Sequence, residues 1–152
     1  MTISPYVRRL REMVGSEVLV LPSVTVLPRD SGGRILLVRR AETREWMTIG
    51  GMVEPDEDPA DAAVREALEE AGIVVDLRGI LAALGGKEFR LTYPNGDQVA
   101  YVTIVYDATV ISGEPRPDGV ETDDVSWVAP HELVTIDLSA FARAQLSRLG
   151  FL

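Results

Sequence analysis

The chain has 152 residues, 46% of them hydrophobic and 26% charged, with a formal net charge of −9. That is the balance of one globular domain, residues 1–152, long enough to bury a true core. The acidic balance excludes a nucleic-acid polymer as the main partner, because such binding needs a basic footprint.

No cysteine is present and His131 is the single histidine. Disulfides, thiolate zinc sites, cysteine nucleophiles and multi-histidine metal sites are therefore excluded. Arg8, Arg9 and Arg11 interrupt any apolar run at the start of the chain. With no stretch near the roughly 20 apolar residues needed to span a bilayer, the expectation is a cytoplasmic protein with no membrane partner.

In chain order, residues 5–14 (PYVRRLREMV) read as a helix beginning at Pro5, with Tyr6, Leu10, Met13 and Val14 on one side. Its arginines read as a solvated face, or as contacts to an anionic ligand or to the second subunit of a homodimer. Val18–Leu27 is rich in Val and Leu and reads as one or two strands interrupted at Pro22. A turn at 29–33 leads to a buried strand over Ile35–Val38, predicting a hairpin. Arg39, Arg40 and Arg44 follow; any of them could face a phosphate, whose geometry a guanidinium matches, or pair with Glu42 or Glu45. Trp46–Ile49 reads as a short strand entering Gly50-Gly51.

Asp58, Pro59 and Asp61 then form an N-terminal helix signal, and Gly72 the matching stop. Ile73–Leu84, Lys87–Tyr93 and Gln98–Val110 read as strands, the last two joined by a turn at 94–97 that contains Asn95-Gly96. Residues 112–124 form a Gly/Pro/acid loop before a last strand, Val125–Val128. A helix over 139–149 closes the chain, with Phe141, Ala142, Leu146 and Leu149 at helical spacing. Strands alternating with helices predict an α/β domain with a mixed sheet covered on both sides.

The stretch Gly51–Ile73 carries the chemistry. Ala60, Ala63, Val64, Ala67, Leu68 and Ala71 form an apolar stripe, leaving Glu66, Glu69 and Glu70 on a shared face directed outward. Acids in the last turns of a helix oppose its dipole, and acids at i, i+4 repel each other. Glutamates at such spacing usually form a solvated face. Here their unfavourable placement points to a missing cation, and oxygen-only donors suit Mg²⁺ or Mn²⁺.

Gly51, Glu57, Arg65-Glu66-Ala67-Leu68-Glu69-Glu70 and Gly72-Ile73 together resemble the box of the Nudix family. Trp46 and Trp127 flank it as in that family. The sequence departs at Ile49, where proline is common, at Asp56, where glycine is common, and at the small Ala67. Asp tolerates left-handed backbone better than most residues.

The resemblance implies an α/β/α Nudix sandwich and a pyrophosphohydrolase acting on nucleoside diphosphates linked to another group. It implies metal binding by Glu66, Glu69, Glu70 and the Gly50 carbonyl. Glu57 and Arg65 would support the box as an ion pair, together with Gly51 and Gly72. Glu69 is the first expectation for the general base and Glu121 the alternative. Arg39, Arg44 and Tyr93 are candidates for substrate contact. The proline and tyrosine marks of the ADP-ribose and diadenosine polyphosphate subclasses are both missing. A nucleoside-diphosphate derivative is therefore placed ahead of a free (deoxy)nucleoside triphosphate. The competing reading is a non-catalytic, nucleotide-sensing or partner-binding Nudix module.

Overall fold

A computed structural model describes residues 3–152. In chain order the elements are α1 (Pro5–Val14), β1 (Leu19–Pro28), β2 (Ile35–Arg40), β3 (Trp46–Met47), β4 (Ile49–Met52) and α2 (Pro59–Ala71). Then come β5 (Val74–Leu84), β6 (Arg90–Thr92), β7 (Gln98–Ser112), β8 (Thr122–Val128) and α3 (Ala140–Arg148). One sheet has the order β4-β1-β7-β5, with β6 also paired to β7. It is mixed: β1 and β7 run parallel from Leu19↔Val99 to Pro28↔Ala108, while its other pairs are antiparallel. A second, antiparallel sheet has the order β3-β2-β8.

Two apolar cores separate these layers. The alanines of α2 (Ala62, Ala63, Ala67, Ala71) pack on Val24, Val26, Leu36, Val38, Ile49 and Tyr106. On the other side α3 brings Ala142 and Leu146 against Leu27, Ile35, Leu37, Phe89 and Val105. Successive residues of β2 thus enter opposite cores, which is why Ile35–Val38 is apolar without alternation.

Several expectations change. β1 runs unbroken through Pro22, whose carbonyl accepts from Val53 N–H at 3.1 Å. Its missing N–H faces the same side, past the last registered pair with β4, Ser23↔Met52, so only the return bond to Val53 at the end of the ladder is forgone. β1 and β2 meet only at a single bridge, Arg29↔Ile35, before β2 enters the other sheet, so no extended hairpin forms.

The strand predicted over Trp46–Ile49 is divided at Thr48, with β3 in one sheet and β4 in the other. Residues 87–89 form a 3₁₀ turn rather than a strand, burying Phe89 edge-on to Phe141 at 5.3 Å. β8 starts three residues early, at Thr122, so the loop before it is shorter than expected.

The helices show similar corrections. In α1, Met13 is 82% exposed and Val14 is exposed too; Tyr6, Val7, Leu10 and Arg11 are the half-buried residues. Polar contacts hold this helix: Ser4 Oγ donates to Glu54 Oε2 at 3.0 Å, and Arg11 Nη2 to the Gln98 carbonyl at 2.7 Å. Arg11 is therefore an anchor, not part of a solvated face.

In α2 the caps follow the sequence. Asp58 Oδ1 accepts from Ala60 N–H at 2.8 Å, and Gly72 takes φ 66° and closes the helix. Its buried face follows in part: Ala63, Ala67 and Ala71 are buried, but Leu68 is 55% exposed, whereas Ala62 and Glu66 are buried. Real packing has rotated the helix so that a carboxylate, not the leucine, meets the sheet.

Candidate active site

Gly50 and Gly51 lie on β4, an edge strand, and both need to be glycine. A Cβ on Gly50 would fall 2.1 Å from the Val24 carbonyl oxygen, and one on Gly51 would fall 2.3 Å from Glu66 Oε1. The edge strand can therefore lie against β1 while α2 approaches it closely. Glu66 and Glu70 accordingly point inward, toward β4, and not outward as the helical face suggested.

The Gly50 N–H donates to Glu70 Oε2 at 3.0 Å. In an extended strand the N–H and C=O of a residue leave on the same edge, so the Gly50 carbonyl also faces Glu70. Gly50 and Glu70 line a cleft with Arg40, Glu42, Met47, Thr48 and Glu121. Burial pushes the Glu70 carboxyl up to about 8, with neighbouring Glu66 and Glu121 adding to the shift and the Gly50 N–H and Arg40 opposing it. Burial also raises Glu66, against the pull of Arg65.

Arg65 is the hub of the box. Its Nε donates to Glu57 Oε1 at 2.7 Å and its Nη2 to Glu57 Oε2 at 3.0 Å and to the Met52 carbonyl at 3.2 Å. The hydrogen bond from Arg65 holds the Glu57 carboxyl below the usual range. Glu57 Oε2 also accepts from Glu54 N–H, closing the loop, and Asp56 takes φ 66°, the left-handed backbone its side chain tolerates. Arg65 Nη1 further donates to Glu66 Oε1 at 2.8 Å and Glu69 Oε2 at 3.2 Å. Glu69 is exposed, pairs with Arg65 and does not line the cleft.

The remaining sequence candidates are arranged differently from the expectation. Arg39 Nε donates to Asp123 Oδ1 at 2.8 Å and Arg44 also pairs with Asp123, so neither pairs with Glu42 or Glu45. Arg39 lies over the Trp46 ring. The Tyr93 hydroxyl is 3.0 Å from that of Tyr101, outside the cleft lining. Arg40, one of three neighbouring arginines in the sequence, is the one that lines the cleft.

Asp118 carried no signal beyond its place in an acidic loop. Its Oδ1 accepts from the N–H groups of Val120, Glu121 and Thr122 at 2.8–2.9 Å. Thr122 Oγ1 in turn donates to the Glu70 carbonyl at 3.1 Å. The loop bearing Glu121 is thus pinned to the end of α2. Burial opposes the ionisation of Asp118, but these backbone donors outweigh it and lower its pKa.

Among the described residues, no three Asp, Glu, His or Cys side chains form a ready-made metal-chelating group. One oxygen of each central carboxylate is engaged: Glu66 Oε1 accepts from Arg65 and Glu70 Oε2 from the Gly50 N–H. The chemistry still fits a hard divalent cation, since the gathered donors are all oxygen and burial together with neighbouring carboxylates raises the pKa of Glu66 and Glu70.

A mixed sheet between helices, with glycines on an edge strand facing a glutamate-bearing helix, defines a class of α/β/α hydrolases. Residues 20–149 match the family model described as NUDIX domain. The chain is 31% identical over 131 residues to Nucleoside triphosphatase NudI of Escherichia fergusonii, spanning 81% of this chain and 92% of that protein. A Bacillus subtilis (strain 168) protein with the provisional name 8-oxo-dGTP diphosphatase is 32% identical over 108 residues, 71% of this chain and 66% of its own length. The fold is similar to that of the MutT protein from Methanosarcina mazei Go1, with a TM-score of 0.73 and 27% identity over 88% of this chain and 94% of that one. The chain belongs to the Nudix family and is a Nudix hydrolase of the MutT-like type. Among the described residues no helix is long and apolar enough to cross a membrane.

Proposed function

We propose that this hydrolase cleaves a phosphoric anhydride bond of a nucleoside triphosphate in a reaction that requires Mg²⁺, with Mn²⁺ as a substitute. The observation that carries the reading is the cleft itself, where Glu70, Glu121 and the edge-strand Gly50 face the cation Arg40. Glu66, Glu70 and the Gly50 carbonyl would hold the metal, with Glu69 available once it leaves Arg65. A divalent ion bound there supplies charge neutralisation for the phosphates and lowers the pKa of water.

The protein's own groups divide the remaining work. Arg40 offers a guanidinium to phosphate oxygens. Glu121 takes the proton of the attacking water; it lines the cleft, whereas Glu69 pairs with Arg65 outside it. The water oxygen bonds to phosphorus as the anhydride P–O bond breaks, and that electron pair leaves with the departing phosphate or pyrophosphate. Arg39 and Arg44 are reassigned from substrate contact to pairing with Asp123 at the start of β8, and Tyr93 to pairing with Tyr101.

Placing a triphosphate first reverses the order expected from sequence; the names of two relatives, a nucleoside triphosphatase and an 8-oxo-dGTP diphosphatase, favour it. The test is a panel of nucleoside triphosphates, nucleotide sugars and ADP-ribose with Mg²⁺. Released pyrophosphate is read with pyrophosphatase coupling, and the other products with phosphatase coupling. Mg²⁺-dependent turnover of a triphosphate is expected. Binding by calorimetry without turnover of any substrate would overturn the reading.

A further inference from the structure

A polar chain lies buried between α3 and the mixed sheet. Thr48 Oγ1 donates to Gln145 Oε1 at 2.6 Å, and Gln145 Nε2 donates to Thr25 Oγ1 at 2.6 Å. Thr25 Oγ1 is in turn 3.1 Å from Thr103 Oγ1. Gln145 and Thr103 are 0% exposed, and Thr25 and Thr48 are also buried. Among the described residues no buried side-chain polar atom lacks a partner. A network of this kind is favourable only while every member is satisfied.

Its location is informative. Thr48 is the residue at which the chain leaves β3 in one sheet and enters β4 in the other. Thr25 is the cross-strand partner of Gly50 in the β1–β4 ladder. Gln145 therefore grips Gly50 from two directions, through the residue two positions before it and through the residue opposite it. The same crossover is held one step earlier, where Trp46 N–H donates to the Asp137 carbonyl and Ser139 N–H to the Trp46 carbonyl. Gly50 presents its N–H to Glu70, and a sub-ångström shift of the strand would be felt directly at that carboxyl.

We propose that Gln145 is a positioning residue for hydrolysis, setting the main chain of Gly50 against Glu70 so that the C-terminal helix is part of the active-site framework. An apolar side chain would fill this place in a helix whose neighbouring positions, Ala142 and Leu146, are core residues. Glutamine instead ties two strands to one register, which a leucine cannot do. The inference rests on the proposed metal-dependent hydrolysis.

The experiment compares wild type, Gln145→Leu, Thr25→Val and Thr25→Ser. Turnover is measured with the best triphosphate of the panel at varied Mg²⁺, and Gly50 amide hydrogen exchange is followed in the metal-free protein. Gln145→Leu and Thr25→Val are expected to lower kcat about tenfold or more, with KM within about threefold. Both should speed exchange of the Gly50 amide about tenfold relative to amides of the β5–β7 ladder. Thr25→Ser, which keeps the hydroxyl, should remain within about threefold of wild type on both readouts. A lowered Tm with unchanged kcat, Mg²⁺ requirement and Gly50 exchange would overturn the proposal and leave a structural role only. Should Gln145→Leu not fold, the Thr25 pair decides alone, and equal behaviour of Val and Ser overturns it. An inactive wild type would instead strike the proposed function, while Gly50 exchange would still report on the positioning.

Discussion

The carboxyl of Glu70 is held protonated near neutrality by burial and by two neighbouring acids, with a pKa pushed up to about 8 from an ordinary 4.5. Its linkage to stability has a definite sign. Below about pH 4.5 the group is protonated in both folded and unfolded chains. Between there and pH 8 the unfolded chain releases its proton and the folded one keeps it, so stability falls as pH rises through that window. In chelator, Tm should therefore decline from pH 5 to 8. Glu70→Gln should flatten that decline, and Mg²⁺ should reverse it in the wild type alone. The same variant should lose about a hundredfold or more of its turnover, about 2.7 kcal/mol of barrier, while retaining the fold by circular dichroism. Wild-type turnover in Glu70→Gln would remove it from the metal set. The base is a separate question at this scale: Glu121→Gln should cost more than Glu69→Gln in kcat. A loss below about tenfold, or about 1.4 kcal/mol, would make Glu121 a bystander.

Among the elements, the segment before β8 is ordered by one side chain. Asp118 accepts three consecutive backbone N–H groups and Thr122 links that turn to the end of α2. Replacing Asp118 with Ala should cost about 1 kcal/mol, a charged acceptor in a partly solvated turn, and lower Tm by about 2–4 °C. Because Glu121 is inside the turn, kcat should fall further than stability alone requires. Hydrogen exchange should quicken at residues 120–122 and remain unchanged in β1 and β7. Equal kcat for Asp118→Ala and wild type would show that the turn does not position Glu121. The depressed pKa of Asp118 adds a pH signature: its contribution is present above the ordinary aspartate range and is lost as pH falls through the lower folded value.

Across the whole molecule, two cores are joined by β2, which sends Leu36 into one and Leu37 into the other. Trp127 packs against the first core and Trp46 against the second, so each tryptophan reports on one side. Leu37→Ala should destabilise by about 2–5 kcal/mol. In single-tryptophan variants made by Trp46→Phe and Trp127→Phe, it should shift both urea midpoints together. Midpoints that separate would mean that the cores unfold independently and that the shared strand does not couple them.

The parts of this protein readable from sequence are those specified by local chemistry. The caps of α2 at Asp58 and Gly72, the left-handed Asp56 and the Asn95-Gly96 hairpin all depend on neighbours close along the chain, while the Glu57–Arg65 pair is implied by the family resemblance. Reading also recovered the family and the α/β/α class, because the box spacing and the alternation of elements are themselves sequence patterns. Tertiary structure alone decided which face of α2 is buried, since Leu68 and Glu66 differ by packing against β4 rather than by helical period. It chose Arg40 over Arg39 and Arg44, because Asp123, far along the chain, claims the other two. It also placed Gln145 at the heart of a network joining residues 25, 48 and 103, which no local propensity could have linked. Helical and strand periods state which residues share a face. Only the meeting of distant segments settles what that face touches.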